Sequence, residues 1–88
     1  GWRGMLAEER AKILRRWASL MTENLDDLCM ILTSEQGKPL SQARAEIMGG
    51  IGYVEWMAEE CRRVYGDLIP SSGATTRLLT MKQAVGVC

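Results

Sequence analysis

Three cysteines, Cys29, Cys61 and Cys88, are the residues in this sequence that could supply a nucleophile or a soft metal ligand. The sequence contains no histidine, which removes the Ser-His and Cys-His catalytic pairs and the usual zinc ligand set. No two cysteines have CxxC spacing, and their odd number argues against a disulfide framework. Cys29 and Cys61 fall on apolar helix faces, so we predict buried thiols in a reducing, cytoplasmic protein.

A glycine run, Gly49-Gly50-Ile51-Gly52, invites comparison with nucleotide-binding loops. The dinucleotide fingerprint needs a further glycine where this sequence has Glu55, and it needs a preceding strand where a helix is predicted here. The neighbouring acids Glu59 and Glu60 would point about 100° apart on a helix, so they do not converge on one substrate atom. From the residues alone we therefore predict no catalytic, cofactor-binding or metal-binding residue.

The charges are balanced, with 11 basic and 11 acidic residues among 88. A basic cluster near the start could be read as a phosphate-binding or nucleic-acid-binding patch: Arg10, Lys12, Arg15 and Arg16. These residues are spread around a helix, and the nearby acids Glu8 and Glu9 offset their positive charge. A solvated face is therefore the favoured interpretation, and no nucleic-acid partner is expected. No apolar run approaches the roughly 18 residues of a membrane span, so no membrane partner is expected either.

Hydrophobic periodicity predicts a mainly α-helical chain with three helices, at about 6–23, 25–36 and 39–65. The third helix is the longest, with apolar residues at steps of three and four: Leu40, Ala43, Ile47, Ile51, Val54, Ala58, Cys61 and Tyr65. The first helix has its own apolar stripe, which we expect to face the core: Leu6, Ile13, Leu14, Trp17, Leu20 and Met21. Asn24 is expected to cap the second helix, and Gly37 and Gly66 to end the second and third.

After Asp67 the composition changes, and we predict a loop followed by two short strands, at about 77–82 and 84–88. No third strand is available to pair with them, and the chain stops in mid-strand without a polar tail. We therefore expect residues 1–88 to form a single partial domain. We also expect a homo-oligomer, joined through strand pairing or helix exchange, because unpaired strand edges recruit other strands.

Four segments resemble the NAD(P)-dependent aldehyde dehydrogenase superfamily, and most closely its succinate-semialdehyde dehydrogenase branch. They are ERAKILRRW (9–17), DDL (26–28), SEQGKPL (34–40) and EWMAEECRRVYGDLIP (55–70), followed in the same order by the RLL and KQAVGV segments. The resemblance implies a fragment from the amino-terminal part of the α/β cofactor domain. It also implies a longer parent enzyme that uses NAD or NADP to oxidise an aldehyde to a carboxylic acid.

The catalytic cysteine, glutamate and asparagine motifs of that family are absent from these residues, so the resemblance implies that the isolated chain is inactive and binds no cofactor. Cys88 matches a strand position and not the nucleophile. Where the branch usually has Tyr-Ala-Ala-Ser-Phe, this chain has residues 49–53, so Gly49 and Tyr53 are the expected lining of the parent's substrate entrance. The alternative is a stand-alone, non-catalytic helical interaction or oligomerisation module derived from the family.

Overall fold

The computed structural model describes all residues, Gly1–Cys88, and it is mainly helical. Three helices follow one another along the chain: α1 (Ala7–Glu23), α2 (Leu25–Gln36) and α3 (Leu40–Glu60). Two strands of two residues each, β1 (Leu68–Ile69) and β2 (Leu78–Leu79), complete the regular structure, together with single 3-10 turns at Trp2–Gly4 and Cys61–Arg63. The predicted fold class, three helices and a short β segment, is confirmed.

The connections between the helices are short. At the end of α2, Gly37 adopts the left-handed conformation, with φ 74°, and its N–H bonds to the carbonyl of Thr33. The expected role of Asn24 as a side-chain cap for α2 is wrong, because its Nδ2 donates to the Leu20 carbonyl at 2.8 Å and so closes α1 instead. At the start of α1, the Leu6 N–H donates to the Glu9 carboxylate at 3.0 Å.

Helix α3 packs against both of the other helices and is the centre of the domain. It runs antiparallel to α1, since Arg62, just beyond its end, pairs with Glu8 while Gly50 lies beside Met21. Four of the six buried residues are alanines: Ala11, Ala18, Ala43 and Ala58, with Cys29 and Ile51. Alanines at the contacts let helices approach closely, but they bury little apolar area per residue.

Helix α3 is shorter than predicted. The α-helix ends at Glu60 and continues as the 3-10 turn Cys61–Arg63, so the predicted helical end is wrong for residues 64–65, and Tyr65 is 68% exposed. Gly66 is not the left-handed stop we expected, because the only positive-φ glycines are Gly37 and Gly86. A Cβ at Gly66 would overlap the carbonyl of Thr80, so this glycine lets two chain segments approach closely.

The β segment also differs from the prediction. Strand β1 lies in the segment predicted as a loop, and it pairs antiparallel with β2 in the register Leu68 to Leu79 and Ile69 to Leu78. The predicted strand over 77–82 contracts to β2, and the predicted strand over 84–88 does not form. Strand β2 pairs with β1, so no strand lies beside residues 84–88 to form hydrogen bonds with them.

The domain is elongated and leaves much of its surface open. Its radius of gyration is 19.2 Å, whereas a compact domain of this length would have about 12 Å. Its accessible surface is 7177 Å², against about 5,200 Å² expected for a folded monomer of 9.8 kDa. None of the helices is both long and apolar enough to cross a membrane.

Candidate functional site

The two residues expected to line a substrate entrance, Gly49 and Tyr53, lie one turn apart on the exposed side of α3. A Cβ at Gly49 would meet no atom within 4 Å, and Tyr53 is 67% exposed. Trp56 follows on the next turn and is 64% exposed. This surface, Gly49–Trp56, presents two exposed aromatic side chains and the Glu55 carboxylate, and it contains no cysteine, serine or histidine.

The glycine run is part of an ordinary helix. Gly50 and Gly52 both lie inside α3, whose backbone N–H groups bond to carbonyls of the preceding turn. Those N–H groups are therefore unavailable to cradle a pyrophosphate, which needs them free at a helix start or in a loop. The glycine run therefore does not fit the pyrophosphate of a nicotinamide dinucleotide, and the rejection of the fingerprint from sequence agrees with this geometry.

The three cysteines are free and occupy three different environments. Cys29 is 1% exposed on the inner face of α2, Cys61 is half-buried in the 3-10 turn, and Cys88 is exposed. No group of three or more Cys, Asp or Glu side chains is arranged to hold a metal ion. The buried thiol predicted for Cys29 is confirmed, whereas Cys61 is only partly covered.

An ion-pair network joins the start of α1 to the end of α3. Arg15 donates to the Glu59 carboxylate at 2.8 Å and lies 3.9 Å from Glu8, which also pairs with Arg62. Glu60 pairs with its neighbour Arg63 instead of joining this network. Glu59 and Glu60 thus reach different partners, as the helix geometry predicts, and they form no paired-carboxylate site.

The basic residues of α1 are largely engaged by groups of the same chain. Arg10 donates to the Met5 carbonyl at 3.1 Å, and Arg16 pairs with Glu23 at 3.0 Å. With Arg15 held by Glu59, three of the four cations in the cluster have internal partners. This arrangement agrees with the solvated, paired face that the sequence favours over a phosphate-binding patch.

The apolar stripe of α1 does not behave as predicted. Leu14 and Met21 are half-buried beside the buried alanines, and this face packs on α3. The four other members lie on a separate face and are 40–71% exposed: Leu6, Ile13, Trp17 and Leu20. The sequence does contain a pattern for the face that packs on α3, because Ala7, Ala11 and Ala18 share the three- and four-residue spacing of Leu14 and Met21. The alanines are not included in the predicted core because their side chains are small.

Comparison with known proteins identifies the family. The model of the aldehyde dehydrogenase family matches residues 1–88. Succinate-semialdehyde dehydrogenase [NADP(+)] of Escherichia coli is 51% identical over 86 residues, which cover 98% of this chain and 18% of that protein. Glutarate-semialdehyde dehydrogenase of Pseudomonas putida is 50% identical with the same coverage of both proteins.

The fold agrees with the sequence match. The crystal structure of succinate-semialdehyde dehydrogenase from Burkholderia pseudomallei superposes with a TM-score of 0.89 at 51% identity, over 100% of this chain and 18% of that one. The chain thus spans less than a fifth of the length of these relatives. The resemblance read from the four segments is confirmed, and the chain belongs to the aldehyde dehydrogenase family.

Proposed function

We propose that this chain is the amino-terminal part of the cofactor domain of an NAD(P)-dependent semialdehyde dehydrogenase, which oxidises an aldehyde carrying a carboxylate to the acid. The observation that carries the proposal is the identity of about half of all residues to enzymes named for succinate and glutarate semialdehydes. Both aldehydes bear a carboxylate at the far end. The E. coli relative is named for NADP(+), which supports a nicotinamide cofactor in the whole enzyme.

Within such an enzyme this part would be scaffold. The reaction requires a thiolate to attack the carbonyl and a base to activate water, while the cofactor supplies the hydride acceptor. Cys29 is buried, Cys88 has only a weak 4.0 Å contact from its Sγ to the Gly86 carbonyl, and no histidine is present. The isolated chain is therefore proposed to be inactive and to bind no cofactor.

The surface Gly49–Trp56 is proposed as the part of the scaffold nearest the substrate. Gly49 presents no side chain where a bulky residue would narrow the space, and Tyr53 stands one turn further along the exposed face. A substitution that refills this space at Gly49 would act on substrate binding more than on chemistry, because glycine has no side chain that could take part in the reaction.

A transplant tests the proposal. Residues 1–88 would replace the matching segment of the E. coli succinate-semialdehyde dehydrogenase, and the chimera would be assayed with succinate semialdehyde and NADP. We expect turnover by the chimera and none by the isolated chain. A chimera that folds, as judged by its melting profile, and has no turnover would contradict the proposal.

A second candidate is a stand-alone helical interaction module without catalytic activity. The exposed surface supports this candidate, because the accessible area of 7177 Å² exceeds the area expected for a compact 9.8 kDa monomer and could be buried against a partner. The free cysteines fit a reducing, cytoplasmic location for either candidate. If the 88-residue chain accumulates in cells as a discrete folded species, the module is favoured. Recovery only as part of a longer dehydrogenase polypeptide would reject it.

A further inference from the structure

A cleft of about 380 Å³ lies where the first turn of the chain meets the segment that follows β2. It is lined by Arg3 of the 3-10 turn and by Lys82, Gln83 and Ala84. The two basic residues come from opposite ends of the sequence, so it is the fold that brings them to one cleft. No acidic residue lines it. We call it the Arg3–Lys82 cleft.

The two cations of this cleft have no partner within the chain. Six of the 11 basic residues form ion pairs, and Arg10 and Arg77 donate to backbone carbonyls. The three that do neither are Arg3, Lys12 and Lys82, and two of these three line the Arg3–Lys82 cleft. The cleft therefore concentrates positive charge that the chain itself does not neutralise.

The acids nearest to the cleft in the sequence are engaged elsewhere. Glu8 belongs to the ion-pair network at the start of α1, and Glu9 accepts a hydrogen bond from the backbone where this helix begins. The Asp67 carboxylate accepts a hydrogen bond from the Thr80 hydroxyl at 3.2 Å. Two like charges at one cleft repel each other, and a bound anion would replace this repulsion by attraction.

We propose that the Arg3–Lys82 cleft binds a phosphate group, as the free ion or as a small phosphate ester. The Arg3 guanidinium carries a planar fork of N–H donors that matches two phosphate oxygens, and the Lys82 ammonium adds a second positive charge. The side-chain amide of Gln83 carries further N–H donors. The proposal is independent of the dehydrogenase role suggested above, because no residue of the cleft belongs to the surface Gly49–Trp56.

Charge favours a phosphate group over a carboxylate at this cleft. A phosphate group carries roughly 1.5 to 2 negative charges at neutral pH and offers three strong acceptor oxygens. A carboxylate carries one charge and two oxygens, so it would satisfy Arg3 and leave Lys82 without a partner. Both cations are exposed, so solvent and salt weaken each contact, and we expect a dissociation constant of about 1 mM at low ionic strength.

A nuclear magnetic resonance titration of the 88-residue chain tests the proposal. Inorganic phosphate replaces sodium chloride at constant ionic strength, and the backbone amide shifts of Arg3, Gln83 and Ala84 are followed. We expect saturable shifts at these residues. Lys82→Gln and Arg3→Gln should each weaken binding about threefold to tenfold, whereas Lys12→Gln, which removes the third unpartnered cation, should leave it unchanged within about twofold.

Two further ligands define the chemistry of the cleft. If methyl phosphate binds more tightly than inorganic phosphate, the ligand is an ester, and the reverse order assigns the free ion. Acetate should bind more weakly than either, and acetate binding that equals or exceeds phosphate binding overturns the proposal. So do shifts that fall only on other parts of the chain, or binding that both cleft variants retain in full. Circular dichroism would check that the variants keep their helix content, as expected for exposed side chains without partners.

Discussion

Replacing Gly50 with alanine should stabilise the domain. Gly50 lies in the interior of α3, on the side that faces α1, where a glycine leaves the backbone freer in the unfolded chain than alanine would. An alanine Cβ at this position would meet only the Cε of Met21, at 3.8 Å, which is an ordinary van der Waals distance. The substitution therefore adds a methyl group without displacing backbone.

The expected gain follows from two sources. A glycine-to-alanine change at a compatible helical position stabilises by about 0.4–1 kcal/mol, mainly by restricting the unfolded state. At Gly50 the new methyl also packs on Met21, adding a few tenths of the roughly 0.8 kcal/mol that complete burial of one carbon would give. Gly49→Ala is the matched control, since no atom lies within 4 Å and only the first source applies.

Thermal unfolding followed by circular dichroism, at one protein concentration for all variants, measures the effect. For a domain of this size 1 kcal/mol corresponds to about 4–8 °C in Tm, so both variants should melt several degrees higher, Gly50→Ala by more. Gly66→Ala should melt lower than the parent chain, because its Cβ would overlap the Thr80 carbonyl. A fall in Tm for Gly50→Ala would refute the helical, uncrowded backbone on which this reasoning rests.

Three further predictions concern the core, the ion pairs and the thiols. Ala58→Leu should cost about 1–3 kcal/mol in urea unfolding, because a fully buried alanine leaves no room for a larger side chain, and a neutral result would mean a loosely packed core. A double-mutant cycle on Arg15 and Glu59 should give a coupling below about 1 kcal/mol that falls with added salt, since both side chains are about half exposed; a larger coupling would contradict their solvent screening. With a thiol reagent in native buffer, Cys88 should react at once and Cys29 only on unfolding, and equal rates would contradict the burial of Cys29.

The three helices could be predicted because their signals are local. The periodicity of α3 and the glycine at position 37 act over one or two turns; the structure has Gly37 at the end of α2, as predicted, and α3 from Leu40 to Glu60, which is most of its predicted length. The face of α1 that enters the core could not be chosen by size, because Ala11 and Ala18 pack on α3 while Trp17 stays outside. Two helices that pack closely need small residues at their contact, and a pattern of large apolar residues does not show where that contact lies.

The β segment could be predicted in existence but not in pairing. Which strand lies beside Leu78–Leu79 depends on the contacts Ile69–Leu78 and Leu68–Leu79, between residues nine and eleven apart, and hydrogen bonds between Asp67 and Thr80 extend this pairing. The proposed site lining was identified through family resemblance, since neither Gly49 nor Tyr53 has a chemical group that marks it from sequence alone.

The most direct test of the central claim, that these residues form dehydrogenase scaffold and supply no catalytic group, is the separation of kcat from KM in the transplant chimera. A segment that shapes the entrance without touching the reacting atoms should leave kcat within about tenfold of the E. coli enzyme, with the larger change in KM. A folded chimera whose kcat falls by more than about a hundredfold at unchanged KM would contradict the claim, because such a loss marks an interaction made only in the transition state.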